Sequence, residues 1–152
     1  MTVHFICRGN AFRSIIAETY LASKQLPSVN VYSSGTVASV YKQLNKSTNS
    51  LVCKVLAANG MKNFIAKPYG KDLTQQRLLN ADLTIFINQR VFDEANKLYD
   101  ITGEHEIWSI ADFGEPGRDQ VAVHNLESQL QIAYQEIAST VDDLITRKQL
   151  SP

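Results

Sequence analysis

Cysteine is scarce in this chain. Two in 152 residues, Cys7 and Cys53, are too few for a disulfide framework, and neither has the Cys/His spacing of a structural zinc site. Charge of one sign is missing too. Fifteen Lys and Arg balance fifteen Asp and Glu, which argues against a general nucleic-acid or acidic-membrane binder. There is no run of about 18 apolar residues to span a bilayer. The sequence passes from Met1 into the strand-like Val3-His4-Phe5-Ile6 with no visible secretory leader, so a cytoplasmic location is expected. Repeats, linkers and low-complexity stretches are also lacking. What is present is an apolar fraction of 44%, enough for the core of a single domain over residues 1–152.

Segments rich in β-formers alternate with segments of helical period, which implies an α/β fold: a small doubly wound domain with a four-stranded parallel sheet and helices on both faces. The patterning predicts strands over residues 2–6, 29–33, 81–87 and 106–110. It predicts helices over about 13–24, 51–59, 90–99 and 125–147. Ser47 or Thr48 is the expected cap of the second helix, and Gly60 its expected stop. Folds of this class place their site at the carboxyl ends of the strands, where the strand order reverses.

The most informative segment lies at such a strand end: Cys7-Arg8-Gly9-Asn10-Ala11-Phe12-Arg13-Ser14. A loop between strand and helix can turn successive backbone N–H groups inward as an anion-binding nest, and the helix N-terminus adds its own donors. Gly9 and Asn10 tolerate the left-handed conformations such a nest uses. Arg13 brings a planar fork that matches two phosphate oxygens. A nucleophilic cysteine acts as its thiolate, and the Ser14 hydroxyl can donate to the Cys7 sulfur. A lone intracellular cysteine is more often a packed apolar residue. The spacing to Arg13 and Ser14 and the strand–loop–helix context favour the chemical role here.

Cys-x5-Arg-Ser directly after the first strand, continuing as Ile15-Ile16-Ala17-Glu18, resembles the low-molecular-weight protein tyrosine phosphatases. The resemblance runs on through Ser33-Ser34-Gly35-Thr36, Val55 to Gly60, Asn80 to Phe86 and Trp108 to Asp112, in the family's order. It implies a protein tyrosine phosphatase that works through a phosphocysteine intermediate without metal or other cofactor. Carried over by position, Cys7 is the nucleophile, Arg13 the transition-state clamp and Asp112 the general acid. Arg8, Gly9, Asn10, Ala11, Phe12 and Ser14 form the substrate-binding loop, with Asn10 expected to bond the supporting Ser34. The expected partner is a phosphotyrosine protein or a small aryl phosphate.

Several positions depart from the family. Phe12 stands where a second loop cysteine is usual, Ile15 where a proline follows Arg-Ser, and Phe113 where a proline follows the acid. Glu115 and Asp119 are rival acids in the same loop. Arg8 adds charge beside the nucleophile, either deepening the anion site, altering leaving-group preference or merely sitting on the solvated rim. Tyr41 is a candidate to stack on an aryl ring, with Phe12 and Phe113 as further walls. Cys53 is expected to be a packed residue, and Lys42, Lys46, Lys67 and Lys71 solvated surface. His4, His105 and His124 have no spacing for a metal or a triad. Two other enzyme-like readings are weaker. An arsenate reductase needs a further pair of thiols that this chain lacks, and a sugar-transport phosphocarrier does not call for Arg13 or an acid loop. A phosphate-loop domain that only binds phosphorylated partners is the non-enzymatic alternative.

Overall fold

A computed structural model describes residues 1–113 and 125–150. Four parallel strands form one sheet in the order β2-β1-β3-β4. They are β1 (Thr2–Cys7), β2 (Asn30–Gly35), β3 (Leu83–Phe86) and β4 (His105–Ile107). Helix α1 (Arg13–Ser23) follows β1, and the short α2 (Ala38–Tyr41) and α3 (Lys46–Ala58) follow β2. Then come α4 (Gln75–Leu79), α5 (Gln89–Asn96) after β3, and the closing α6 (Leu126–Arg147). β1 pairs with β2 on one side and β3 on the other, so the order reverses at β1. The carboxyl end of β1 is where this topology opens a crevice.

The two faces of β1 carry different loads because side chains alternate along a strand. Val3, Phe5 and Cys7 join Leu83, Ile85 and Ile87 of the β3 segment in the larger core, under α1, α3 and α6. Ile6 and Phe86 face the other way, into a smaller cluster with Leu73, Leu78, Val91 and Ala95. Each fully buried aliphatic side chain stabilises the fold by about 1.5–3 kcal/mol relative to exposure. The expected α/β architecture and its helices on both faces are found.

Several boundaries differ from expectation, each for a local reason. The third strand starts two residues later because the Asp82 carboxylate accepts the Thr2 N–H at 2.6 Å, ending the ladder there. The fourth is paired only to Ile107. Beyond it, Trp108 and Ile110 keep single bonds to the carbonyls of Phe86 and Ile87 (2.8 and 3.0 Å). Helix α3 starts at Lys46, and its capping position is Asn45, not Ser47 or Thr48. Asn45 makes no side-chain cap bond; its amide lies over Gly9 instead. Gly60 does stop that helix, at φ +78°. Lys71 is not solvated surface, since its ammonium pairs with the buried Glu18 carboxylate at 3.3 Å.

His4 is more than an ordinary surface histidine. It is fully buried in β1, with Nε2 bonded to Ser34 Oγ at 2.7 Å and its ring stacked on Tyr32 at 4.3 Å. Among the described residues, Nδ1 has no hydrogen-bond partner. Burial, reinforced by the positive charges of Arg77 and Lys71, pushes its pKa down to about 3. The unfolded chain therefore binds a proton that the native state refuses, below its ordinary value near 6.5. The stability that neutral His4 allows is intact above that value and is lost as pH falls toward 3. At about pH 4.5 the loss from this one group is on the order of 2–3 kcal/mol. His4→Gln should flatten the acid limb of a plot of urea midpoint against pH, relative to wild type. Parallel limbs would show that His4 does not carry it.

Candidate active site

The loop from Cys7 to Arg13 is shaped around one asparagine. Asn10 has φ +47°, a left-handed conformation, and is fully buried. Its backbone N–H points at Cys7 Sγ, 3.2 Å away. Its side chain donates to Ser33 Oγ at 2.7 Å and Ser14 Oγ at 3.1 Å, and accepts from the Lys71 N–H at 2.9 Å. Its carbonyl accepts from the Gly70 N–H at 2.9 Å. Because Ser14 Oγ receives the Asn10 amide, its own hydrogen is left for Cys7 Sγ at 3.0 Å. The sulfur thus meets a backbone donor and a hydroxyl donor at once.

Asn10 bonds Ser33 and not the expected Ser34. The register explains it: Ser33 lies opposite Phe5 and shares its face of the sheet, while Ser34 lies opposite Ile6 and turns to His4 on the other face. Behind Asn10, Ser33 donates to the Glu18 carboxylate of α1, which also holds Lys71. A buried carboxylate without such partners would be costly.

Glycine serves here by smallness. Gly9 has no left-handed backbone; a Cβ there would sit 2.3 Å from Asn45 Nδ2. A Cβ on Gly35 would lie 2.4 Å from the Arg8 carbonyl and 2.8 Å from the Asn10 N. The end of β2 therefore presses directly on the loop backbone, which Thr36 and Val37 also bond through the carbonyls of Cys7 and Arg8, both at 3.0 Å.

Arg13 opens α1 and is 1% exposed. Its Nη1 donates to the Ile110 carbonyl at 2.9 Å, and its Nη2 to Asp112 Oδ2 at 2.8 Å. Asp112 Oδ1 accepts the Phe113 N–H at 3.0 Å. The chain after β4 thus comes back across the sheet end to lay a carboxylate on the loop arginine. The rings of Phe12 and Phe113 stack at 4.8 Å and 6°, a contact worth about 0.5–1.5 kcal/mol beyond its burial. Phe12 is buried, so it supports Phe113 more than it faces a ligand.

A cleft of about 220 Å³ opens over these groups. Cys7, Arg8, Gly9, Ala11, Phe12, Arg13, Asp112, Phe113 and the half-exposed Tyr41 all line it. Asn10, Ser14 and Ser34 lie behind it, fully buried. Val37, Asn45 and Thr48 are lining residues that the sequence reading missed, because only the fold brings α2 and the start of α3 over the loop. Glu115, Asp119 and His124 lie outside the described residues. Cys53 is half-buried on α3, and burial pushes its thiol up; Asn49 lies 3.9 Å from its sulfur. Among the described residues no group of three His, Cys, Asp or Glu could hold a metal, and no helix is long and apolar enough to cross a membrane.

A family model described as low molecular weight phosphotyrosine protein phosphatase matches residues 2–147, and the chain belongs to that family. It is a cysteine-based phosphatase of the low-molecular-weight tyrosine phosphatase type. Solved structures agree on the fold. Wzb of Vibrio vulnificus, in complex with benzylphosphonate, is 18% identical, with 96% of this chain and 97% of that one covered at a TM-score of 0.76. The low molecular weight protein tyrosine phosphatase of T. tengcongensis is 20% identical, covering 97% and 99%, at 0.72. A thioredoxin-dependent arsenate reductase of Corynebacterium glutamicum is 23% identical, covering 99% of this chain and 63% of that one, at 0.69. No curated protein matches the sequence.

Gly35→Ala tests the pressure of β2 on the loop. The added methyl meets backbone on two sides, so the thermal midpoint should drop by the equivalent of about 1–3 kcal/mol, with loss of aryl phosphate turnover. A variant as stable and as active as wild type would show that the loop is not held from that side.

Proposed function

We propose that Cys7 is the nucleophile, Arg13 the clamp and Asp112 the general acid of a phosphotyrosine phosphatase acting as a single domain. The observation that carries this is the convergence of Cys7 Sγ, bonded by Ser14 Oγ at 3.0 Å, with the Arg13–Asp112 pair at 2.8 Å on one cleft. Cys7 Sγ attacks phosphorus as the P–O bond to the phenol breaks. Asp112 gives its proton to the leaving oxygen. The same carboxylate then takes a proton from water, whose oxygen attacks phosphorus and releases Cys7 as thiolate and phosphate as product. Backbone N–H groups of the loop and the Arg13 fork hold the equatorial oxygens, where charge is spread in the transition state.

The arginine has two successive partners in this scheme. Asp112 occupies Nη2 in this structure. An incoming phosphoryl dianion competes for the same donor, and the displaced carboxyl is then close to the leaving oxygen. Tyr41, at the rim, supplies a face for the substrate's aryl ring. The substrate is a phosphotyrosine protein or a small aryl phosphate, met in the cytoplasm. The arsenate reductase neighbour does not shift this reading. Beyond Cys7 the chain has only Cys53, and reductase chemistry needs a relay of thiols.

Purified protein should hydrolyse an aryl phosphate in the presence of EDTA, be inhibited by vanadate, and lose turnover as Cys7→Ser. Retained turnover in that variant sinks the assignment. Phosphate binding without any turnover in wild type would favour the non-catalytic alternative.

Asp112→Asn should lower kcat by about 10²–10³-fold for esters with poor leaving groups, and far less for good ones. The same leaving-group dependence in Asp119→Asn or Glu115→Gln, and not in Asp112→Asn, would move the acid there.

A further inference from the structure

The first loop residue after the cysteine is a built feature. Arg8 lines the cleft, and its carbonyl is fixed by the Val37 N–H at 3.0 Å. Its Nε donates to both oxygens of Glu94 on α5, at 2.8 and 3.1 Å. Glu94 is itself held by the Thr36 hydroxyl at 2.8 Å and approached by Arg90 Nε at 3.5 Å. The carboxylate therefore has three donors, and it anchors Arg8 through Nε alone. Among the described residues, Nη1 and Nη2 of Arg8 have no partner. A guanidinium fixed at one nitrogen and open at the other two is pre-organised to take a second acceptor, with little side-chain entropy left to lose.

We propose that Arg8 is a specificity-determining residue, whose Nη groups take a carboxylate of the substrate chain next to the phosphotyrosine. The substrate class is an acidic phosphotyrosine peptide segment. The inference rests on the phosphatase reading and deepens it: Arg13 takes the phosphoryl group, and Arg8 takes a neighbouring Asp or Glu at the rim. A carboxylate matches the open fork with two parallel bonds, and Glu94 leaves those two nitrogens unspent. Arg8 is 29% exposed, so the contact is partly screened, and its effect on selectivity is modest.

The test compares two phosphotyrosine peptides that differ only in Asp or Asn on either side of the phosphotyrosine. Wild type should prefer the Asp peptide in kcat/KM by about five- to tenfold at low salt. Arg8→Gln should bring that ratio close to one, whatever its absolute rate. Equal hydrolysis of both peptides by wild type, or a preference retained in Arg8→Gln, overturns the proposal and leaves the phosphatase reading standing. Hydrolysis of neither peptide overturns the phosphatase reading and this inference with it. If Arg8→Gln does not fold, wild type decides alone. Its preference should shrink as salt is raised to about 0.3 M, and a salt-independent preference overturns the proposal.

Discussion

The site depends on a strained turn at Asn10 and the bonds that hold it. A non-glycine residue at φ +47° is disfavoured unless its surroundings compensate, and here they do from three directions. Ser33 comes from β2, Ser14 from α1, and the N–H groups of Gly70 and Lys71 from the segment before α4. Only with the turn in place does the Asn10 N–H meet Cys7 Sγ and the Ser14 hydroxyl find its hydrogen free for the sulfur. The buried Glu18 and its half-buried partner Lys71 stand behind Ser33, so the loop is braced by charges outside the cleft lining.

The Cys7 loop is legible in the sequence because its parts are local. Cys7, Asn10, Arg13 and Ser14 lie within eight residues, and strand, turn and helix start can be read from that stretch. The bond of Asn10 goes to Ser33 where Ser34 is expected, because two adjacent serines differ only in strand phase, and phase is set by the register of β2 on β1. Asn45, distant in sequence, lies over Gly9. Glu94 lies on a predicted helix with nothing local to mark its role, and 86 positions separate it from Arg8. Such partners are brought together by topology alone. Lys71 illustrates the same limit, since a lysine among polar neighbours carries no mark of the buried carboxylate it meets.

The fold itself was legible from alternation. The third strand's apolar run and the helical period of α6 needed no tertiary information, and both elements are found close to where the patterning put them. The ends moved where side chains intervened, as Asp82 does at β3. Beyond the short β4, Ile110 still donates its N–H to the Ile87 carbonyl and offers its own carbonyl to Arg13.

Among the described residues, the Asp112–Phe113 segment is held to the loop by contacts of unlike physics. The Asp112–Arg13 contact is ionic and a third exposed on the carboxylate side, so added electrolyte weakens it. The Phe12–Phe113 stack is apolar, and excluded salts such as sulfate strengthen it. One tether tightens under conditions that loosen the other. Asp112 is therefore kept within reach of the loop across a broad range of ionic composition.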